Sequence, residues 1–206
     1  MKATSLKKHW ETVYETKEPQ ELSWFQTVPL HSANAIQRLK ISLDAAIIDI
    51  GGGDGLLADY LLQQGFLDIT VLDISAKSIA RAQERLGEDA IKINWVVSDI
   101  LEFKPARQYA YWHDRATFHF LTHEAQVQQY LSIVSGSVSG DGYFTIGTFS
   151  ETGPQKCSGL EIRQYSEASL STTFSEDFHK LFCTEEQHLT PFGTVQDFIF
   201  CNFQKG

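Results

Sequence analysis

The sequence predicts an α/β protein with a doubly wound, mostly parallel seven-stranded sheet that ends in an antiparallel hairpin and is preceded by a helical lid. Three observations predict it. Short apolar runs alternate with amphipathic stretches of roughly ten residues, the rhythm of parallel strands joined by crossover helices. The first run, Ala45 to Ile50, is almost continuously apolar and stops at glycines, as a strand buried on both faces does. The last two runs, Phe178 to His188 and Thr194 to Phe203, are joined only by Thr190-Pro191-Phe192-Gly193 and must therefore be antiparallel neighbours.

The elements follow in order. Residues 1–42 read as helix, loop, helix: Ser5 to Thr16, a break, then Pro29 to Lys40. After the first strand, Leu57, Tyr60 and Leu61 space a helix from Leu56 to Gln64, which Gly65 stops. Ile69 to Ile74 is the second strand; Ser75 caps a helix from Ala76 to Leu86, and Gly87 closes it. Ile91 to Val97 and Tyr109 to His113 are the third and fourth strands. Thr122 is expected to cap a helix running to Ser135, and Gly142 to Phe149 is the fifth strand. Gly153 to Leu160 reads as a loop. The whole chain, 1–206, is expected to be a single domain, with 1–42 as lid and 43–206 as core.

Composition narrows the function. The 206 residues are enough for a core without disulfides or metals. No apolar run is long enough to span a bilayer, and no apolar stretch follows the basic N-terminus as in a secretory signal. The three cysteines, Cys157, Cys183 and Cys201, lack metal-type spacing and read as reduced thiols of a cytoplasmic protein. A net charge of -9 with no Lys/Arg cluster after Lys7-Lys8 argues against nucleic acid and is compatible with neutral or cationic substrates.

The chemistry begins at Asp49-Ile50-Gly51-Gly52-Gly53-Asp54-Gly55, at the carboxyl end of the first strand, where open α/β sheets bind ligands. Alternating glycines allow a tight turn and a close approach to the backbone. Asp73, ending the second strand, stands where an acid accepts hydrogen bonds from ribose hydroxyls. The loop lacks the G-x-G-x-x-G spacing of a dinucleotide site, and Asp49 and Asp54 would repel a pyrophosphate. A cationic nucleoside with an amino-acid end suits it better.

With Asp49, Gly51, Gly53 and Gly55 in the D/E-x-G-x-G-x-G pattern, the chain resembles the class I S-adenosylmethionine-dependent methyltransferases from Ala45 to its end. The resemblance implies a Rossmann-like core and S-adenosyl-L-methionine as cofactor. It implies that Asp49 and Gly51, Gly52, Gly53 and Gly55 surround the methionine part, that Asp73 holds the ribose and that Ile74 lies against the adenine. Ser98-Asp99-Ile100 corresponds to the family's acidic loop beside the adenine, although Asp99 also reads as a turn or cap residue. His9 to Tyr14 followed by Ser23-Trp24-Phe25 resembles the N-terminal lid of thiopurine and thiol methyltransferases and of translation-factor lysine methyltransferases. That makes Trp10 and Trp24 candidates to face the sulfonium, which gains from aromatic faces, against the plainer role of core packing.

The fourth strand runs into Trp112-His113-Asp114-Arg115-Ala116-Thr117-Phe118-His119. Thiopurine methyltransferases resemble this as Trp-Asp-Arg-Gly and the lysine enzymes as Asp-Lys-Gly-Thr; the sequence departs from both at the glycine. Asp114 is expected to contact the cofactor and Arg115 to be catalytic alongside His113 and His119, or the two to pair with each other. His113, His119 and His123 are candidate bases for an acceptor that arrives protonated, His113 and His119 foremost. His119 and His123 are four apart, as two metal ligands on a helix can be, but no third ligand matches and no metal is expected. Arg163 and Tyr165 are candidates for the substrate entrance, and Cys157 for a thiol that is more readily inert. The expected activity is methyl transfer to a small-molecule S, O or N nucleophile. The competing readings are a protein lysine methyltransferase, a noncatalytic nucleoside-binding module and a nicotinamide enzyme.

Overall fold

The computed structural model describes residues 3–206. Seven strands form one sheet in the order β3-β2-β1-β4-β5-β9-β8. These are β1 (Ala46–Ile50), β2 (Asp68–Asp73), β3 (Ile93–Val97), β4 (Tyr109–Arg115), β5 (Val138–Phe149), β8 (Phe178–Leu189) and β9 (Val195–Lys205), while β6 (Lys156–Cys157) and β7 (Leu160–Glu161) make a separate two-stranded hairpin. Strands β1 to β5 pair in parallel, and β9 lies antiparallel to both β5 and β8. The doubly wound sheet with a terminal hairpin is therefore the observed fold.

Adjacent residues of β1 serve opposite cores, as the two-residue period of a strand requires. Ile48 and Ile50 pack with Trp112, Phe144 and residues of α5 (Glu124–Ser137) and α6 (Glu167–Phe174) such as Tyr130 and Phe174. Ile47 packs with Val71, Tyr111, Ile36 of α2 (Leu30–Arg38) and Leu61 of α3 (Leu57–Gln63). Order reverses between β1 and β4, so the carboxyl ends of those strands open a crevice.

Helix α1 (Ala3–Thr16) is fastened to that edge by one carboxylate. Glu11 accepts from Ala76 N at 2.9 Å, Ser75 Oγ at 3.1 Å and Lys77 N at 3.3 Å. These groups lie at the N-terminus of α4 (Ala76–Leu86), where unpaired amides and the helix dipole favour an anion. Ser75 caps α4 as expected, its hydroxyl accepting from Ser78 N.

Several sequence expectations are corrected. β4 extends two residues past His113 because Asp114 and Arg115 still pair with Ile146 and Gly147 of β5. The residue preceding α5 is His123 rather than Thr122, and its amide bonds the Gln126 side chain. Part of the expected loop at Gly153 to Leu160 pairs into the β6–β7 hairpin, and α6 was not foreseen. Cys183 and Cys201 face each other across the β8–β9 register and form a disulfide, which replaces the reading of three reduced thiols.

Candidate active site

The crevice at the carboxyl ends of β1, β2 and β4 is a single cavity roofed by the lid. Asp49, Gly51, Gly52 and Gly55 line its centre; Asp73, Ile74, Ser98, Asp99 and Ile100 line one end. Trp10, Tyr14, Trp24, Gln26, Pro29 and Ser32 come from the lid, and Phe120, Phe149, Cys157 and Phe198 close the other end.

The glycine loop turns because its amides have a fixed acceptor: Gly51 N and Gly52 N both donate to Leu72 O of β2, at 2.7 and 3.3 Å. Gly51 has φ +66, a backbone that L side chains rarely adopt, and a Cβ there would stand 1.9 Å from Thr117 Oγ1. A Cβ on Gly52 would meet Asp49 Oδ2 at 2.6 Å and Val71 Cγ1 at 2.8 Å. Arg85 steadies the loop from outside, donating to Asp54 O, Gly55 O and both oxygens of Asp59. Asp54 is turned to Arg81, 3.5 Å away, and does not line the cavity.

Asp73 is fully buried and accepts from Ser75 N at 2.8 Å. Burial raises its carboxyl from the ordinary range to about 7, against the hydrogen bonds of Ser75 and Ser78, with Asp54 and Asp49 adding to the rise. A hydroxyl donor placed beside it would favour ionisation. Asp99 does two things: its Oδ1 accepts from Leu101 N at 3.0 Å, the expected cap, and it also lines the cavity.

His113 is buried between two partners. Its Nδ1 lies 2.7 Å from Asp49 Oδ1 and its Nε2 2.8 Å from Ser32 Oγ. The Asp49 carboxylate can only accept, so Nδ1 carries the hydrogen and Nε2 accepts from the serine hydroxyl. Ser32 was missed in the sequence. Its signal was a polar residue four before Ile36 on the buried stripe of α2.

Trp10 and Trp24 meet edge to face with centroids 5.7 Å apart, and Trp10 also packs on Phe120 at 5.2 Å. The β8–β9 hairpin holds the lid: Gln26 Nε2 donates to Glu186 Oε1, and His188 Nε2 donates to Ser23 O at 2.7 Å. Arg115 Nη1 donates to Trp24 O at 3.2 Å, and its guanidinium stands 4.9 Å from the Phe198 ring centroid.

Other candidates are placed elsewhere. Asp114 is fully buried and faces the core; Oδ1 accepts from Thr117 N and Phe118 N, and Oδ2 from Tyr130 OH. It shapes the turn after β4 instead of touching a ligand, and it is not paired with Arg115. His119 is fully buried behind the cavity wall, where Phe149 N donates to its Nδ1. Desolvation, with Arg115 nearby, lowers its pKa to about 3, which makes it a poor base as well as a remote one. His119 and His123 fall on different elements and do not form a helical pair; among the described residues no three His, Cys, Asp or Glu gather as metal ligands do. Gly53 lies beside the cavity, its φ of +52 bringing it close to Tyr14 OH and Asp73. Tyr165 is buried in the core and Arg163 pairs with Glu124 on the surface, so neither lines the entrance. Burial pushes the Cys157 thiol up to about 12, leaving it inert.

Comparison with known proteins points to one family. The model of the family "Methyltransferase domain" matches residues 47–142, which run from β1 into β5 and carry the glycine loop, Asp73, Asp99 and His113. The match supports a class I S-adenosylmethionine-dependent methyltransferase. Among its relatives, EEF1A lysine methyltransferase 2 of Mus musculus is 28% identical over 161 residues, 70% of this chain and 65% of that protein. A ubiquinone biosynthesis O-methyltransferase of Rickettsia felis is 28% identical over 119 residues, 58% of this chain and 47% of its own. The matches thus span less than two thirds of either relative. In structure, the N-methyltransferase NodS of Bradyrhizobium japonicum, solved with S-adenosyl-L-homocysteine, superposes with a TM-score of 0.72 at 18% identity, over 95% of this chain and 97% of its own.

Proposed function

We propose that this methyltransferase transfers the methyl group of S-adenosylmethionine to a small-molecule nucleophile. The observation that carries the reading is the continuity of one lid-roofed cavity from the Asp73 and Asp99 end, past the glycines, to an aromatic end wall. The glycine cradle, which a Cβ would fill at Gly51 and Gly52, and the buried acid on β2 fit the cofactor. Asp49 and Gly51 to Gly55 would surround the methionine part, Asp73 the ribose, and Ile74, Ser98, Asp99 and Ile100 the adenine. Trp10 and Trp24 would face the sulfonium. The bound cofactor supplies an electrophilic methyl; the chain supplies alignment of nucleophile, methyl and sulfur, and exclusion of water.

For an acceptor that arrives protonated, His113 is the base we assign, oriented by Asp49 and reached through Ser32. His113→Asn is then expected to lower kcat about 100-fold or more toward such an acceptor. Cofactor-product affinity, measured by calorimetry, should stay the same. An unchanged kcat would leave the histidine a purely structural role.

Asp73→Ala is expected to weaken S-adenosylhomocysteine binding by about 1–3 kcal/mol, the worth of hydrogen bonds to a charged group. Wild-type affinity should also depend on pH. The free carboxyl titrates near 7, and ribose donors hold it ionised, so binding releases a proton below that pH. Affinity should fall about tenfold between pH 8 and pH 6, one pKa unit below the midpoint, and the slope should vanish in Asp73→Asn. A slope that survives the substitution assigns the titration to another group.

A second reading, methylation of protein lysine, has the mouse relative in its favour. Incubating the protein and labelled cofactor with lysate protein fractions, and separately with thiol, phenol and carboxylate panels, separates the two. Label confined to protein would overturn the small-molecule reading. We also place the enzyme in the cytoplasm. No helix is long and apolar enough to cross a membrane among the described residues, whereas the Cys183–Cys201 bond weighs against a reducing compartment; cell fractionation decides between them.

A further inference from the structure

Arg115 is the only Lys or Arg among the described residues that line the cavity. It has been placed at considerable cost. Nη1 donates to Trp24 O, but Nε and Nη2 are buried with no hydrogen-bond partner among the described residues. Among the described residues no carboxylate lies within ion-pairing distance of it. Glu186, the strongest attractive charge on it, and Asp49 act only at longer range. Asp49 is engaged with His113, and Glu186 gives Oε1 to Gln26 while its Oε2 is buried without a partner among the described residues and does not reach the guanidinium. The Phe198 face offers a partial compensation. A buried guanidinium with free donors is a site short of its anion, and its planar fork matches a carboxylate in particular.

Its position within the cavity says which ligand that anion belongs to. Arg115 stands with Trp24, Phe149, Cys157 and Phe198 at the end away from Asp99 and Ile100. A cofactor lying across the glycine loop and Asp73 leaves this end for the acceptor. We infer that the methyl acceptor is a compact organic anion, an apolar body carrying a carboxylate that docks on Arg115 while the aromatic walls hold the body. This rests on the methyltransferase reading above. It also reverses the expectation from net charge. The bulk charge of -9 acts through solvent and is screened within about 8 Å at physiological ionic strength, whereas Arg115 acts by contact inside a low-dielectric pocket.

The test uses the full chain saturated with S-adenosylhomocysteine and follows binding of benzoate, 4-mercaptobenzoate and phenylacetate against their neutral amides, by calorimetry. The carboxylates are expected to bind at least tenfold tighter than the amides. Arg115→Met should erase that preference and Arg115→Lys should keep part of it. Far-UV circular dichroism and S-adenosylhomocysteine binding report whether each variant is folded, and the wild-type carboxylate-to-amide comparison needs no variant. Normal S-adenosylhomocysteine binding with no carboxylate preference in the wild type overturns this inference alone, as does a preference that survives in folded Arg115→Met. Failure of the wild type to bind S-adenosylhomocysteine overturns the reading of the whole site, and this inference with it.

Discussion

Gly51→Val is expected to abolish measurable binding of S-adenosylhomocysteine, a loss of at least 100-fold, and to lower the thermal midpoint. Two costs add. A β-branched residue at φ +66 pays at least the 1–2 kcal/mol that a left-handed backbone costs any L-residue, on the order of a tenfold effect. Its Cβ also falls 1.9 Å from Thr117 Oγ1. Thr117 is not free to yield, because its hydroxyl donates to Ile50 O and its amide to Asp114. The loop must move, and with it the Gly51 and Gly52 amides anchored on Leu72 O. Gly193→Ala is the control: φ is also positive (+78) but nothing lies within 4 Å of the added Cβ. It should cost about 1 kcal/mol of stability through backbone strain and leave binding intact. Equal loss of binding in both variants would show that the cradle is not where the cofactor sits.

Asp114→Ala carries the second large effect, on stability. The carboxylate is wholly buried and satisfies Thr117 N, Phe118 N and Tyr130 OH. Its removal leaves three donors unpaired in an apolar interior, where each costs about 1–3 kcal/mol before relaxation. A net loss of about 3 kcal/mol is expected, a fall in Tm on the order of 10 °C for a chain of this size. Asp114→Asn should be far milder, since the amide oxygen still accepts from both backbone amides and its nitrogen can donate to the tyrosine oxygen. The pH dependence separates the two forms. Burial raises the Asp114 carboxyl to about 6, above its value of about 3.9 in an unfolded chain. The folded state therefore binds this proton more tightly, and the stability it contributes is present below pH 4 and lost as pH rises through 6. Asp114→Asn, which cannot ionise, should gain on the wild type over that same interval. Denaturant midpoints from pH 4 to pH 8 measure it. A difference independent of pH would mean that the aspartate is already ionised throughout.

The order of elements was legible because each rests on local chemistry. Ile47 and Ile48 announce a strand buried on both faces, Ser75 announces a helix start, and the short Pro191-Phe192-Gly193 turn forces an antiparallel pair. The glycine loop and Asp73 were legible for the same reason: a tight turn at a strand end can be recognised without knowing its neighbours. Side chains whose roles depend on rotation about a strand were not. Asp114 and Arg115 are adjacent and opposite in charge, which suggested a pair. Alternation along β4 sends Asp114 into the core with Tyr130 and Arg115 to the cavity with Trp24. His119 looked like a base, and the turn that Asp114 builds buries it behind Phe149.

From residue order alone came the parallel sheet with its terminal hairpin, the glycine loop and the acid on the neighbouring strand, because these depend on period, turn chemistry and spacing within a few residues. Folding settled which of His113, His119, Asp114 and Arg115 reaches the cavity, paired Cys183 with Cys201 and brought Ser32 and Glu11 to groups far away in sequence. Those outcomes depend on contacts between segments remote along the chain, and their partners follow from strand order and register, which no local pattern encodes.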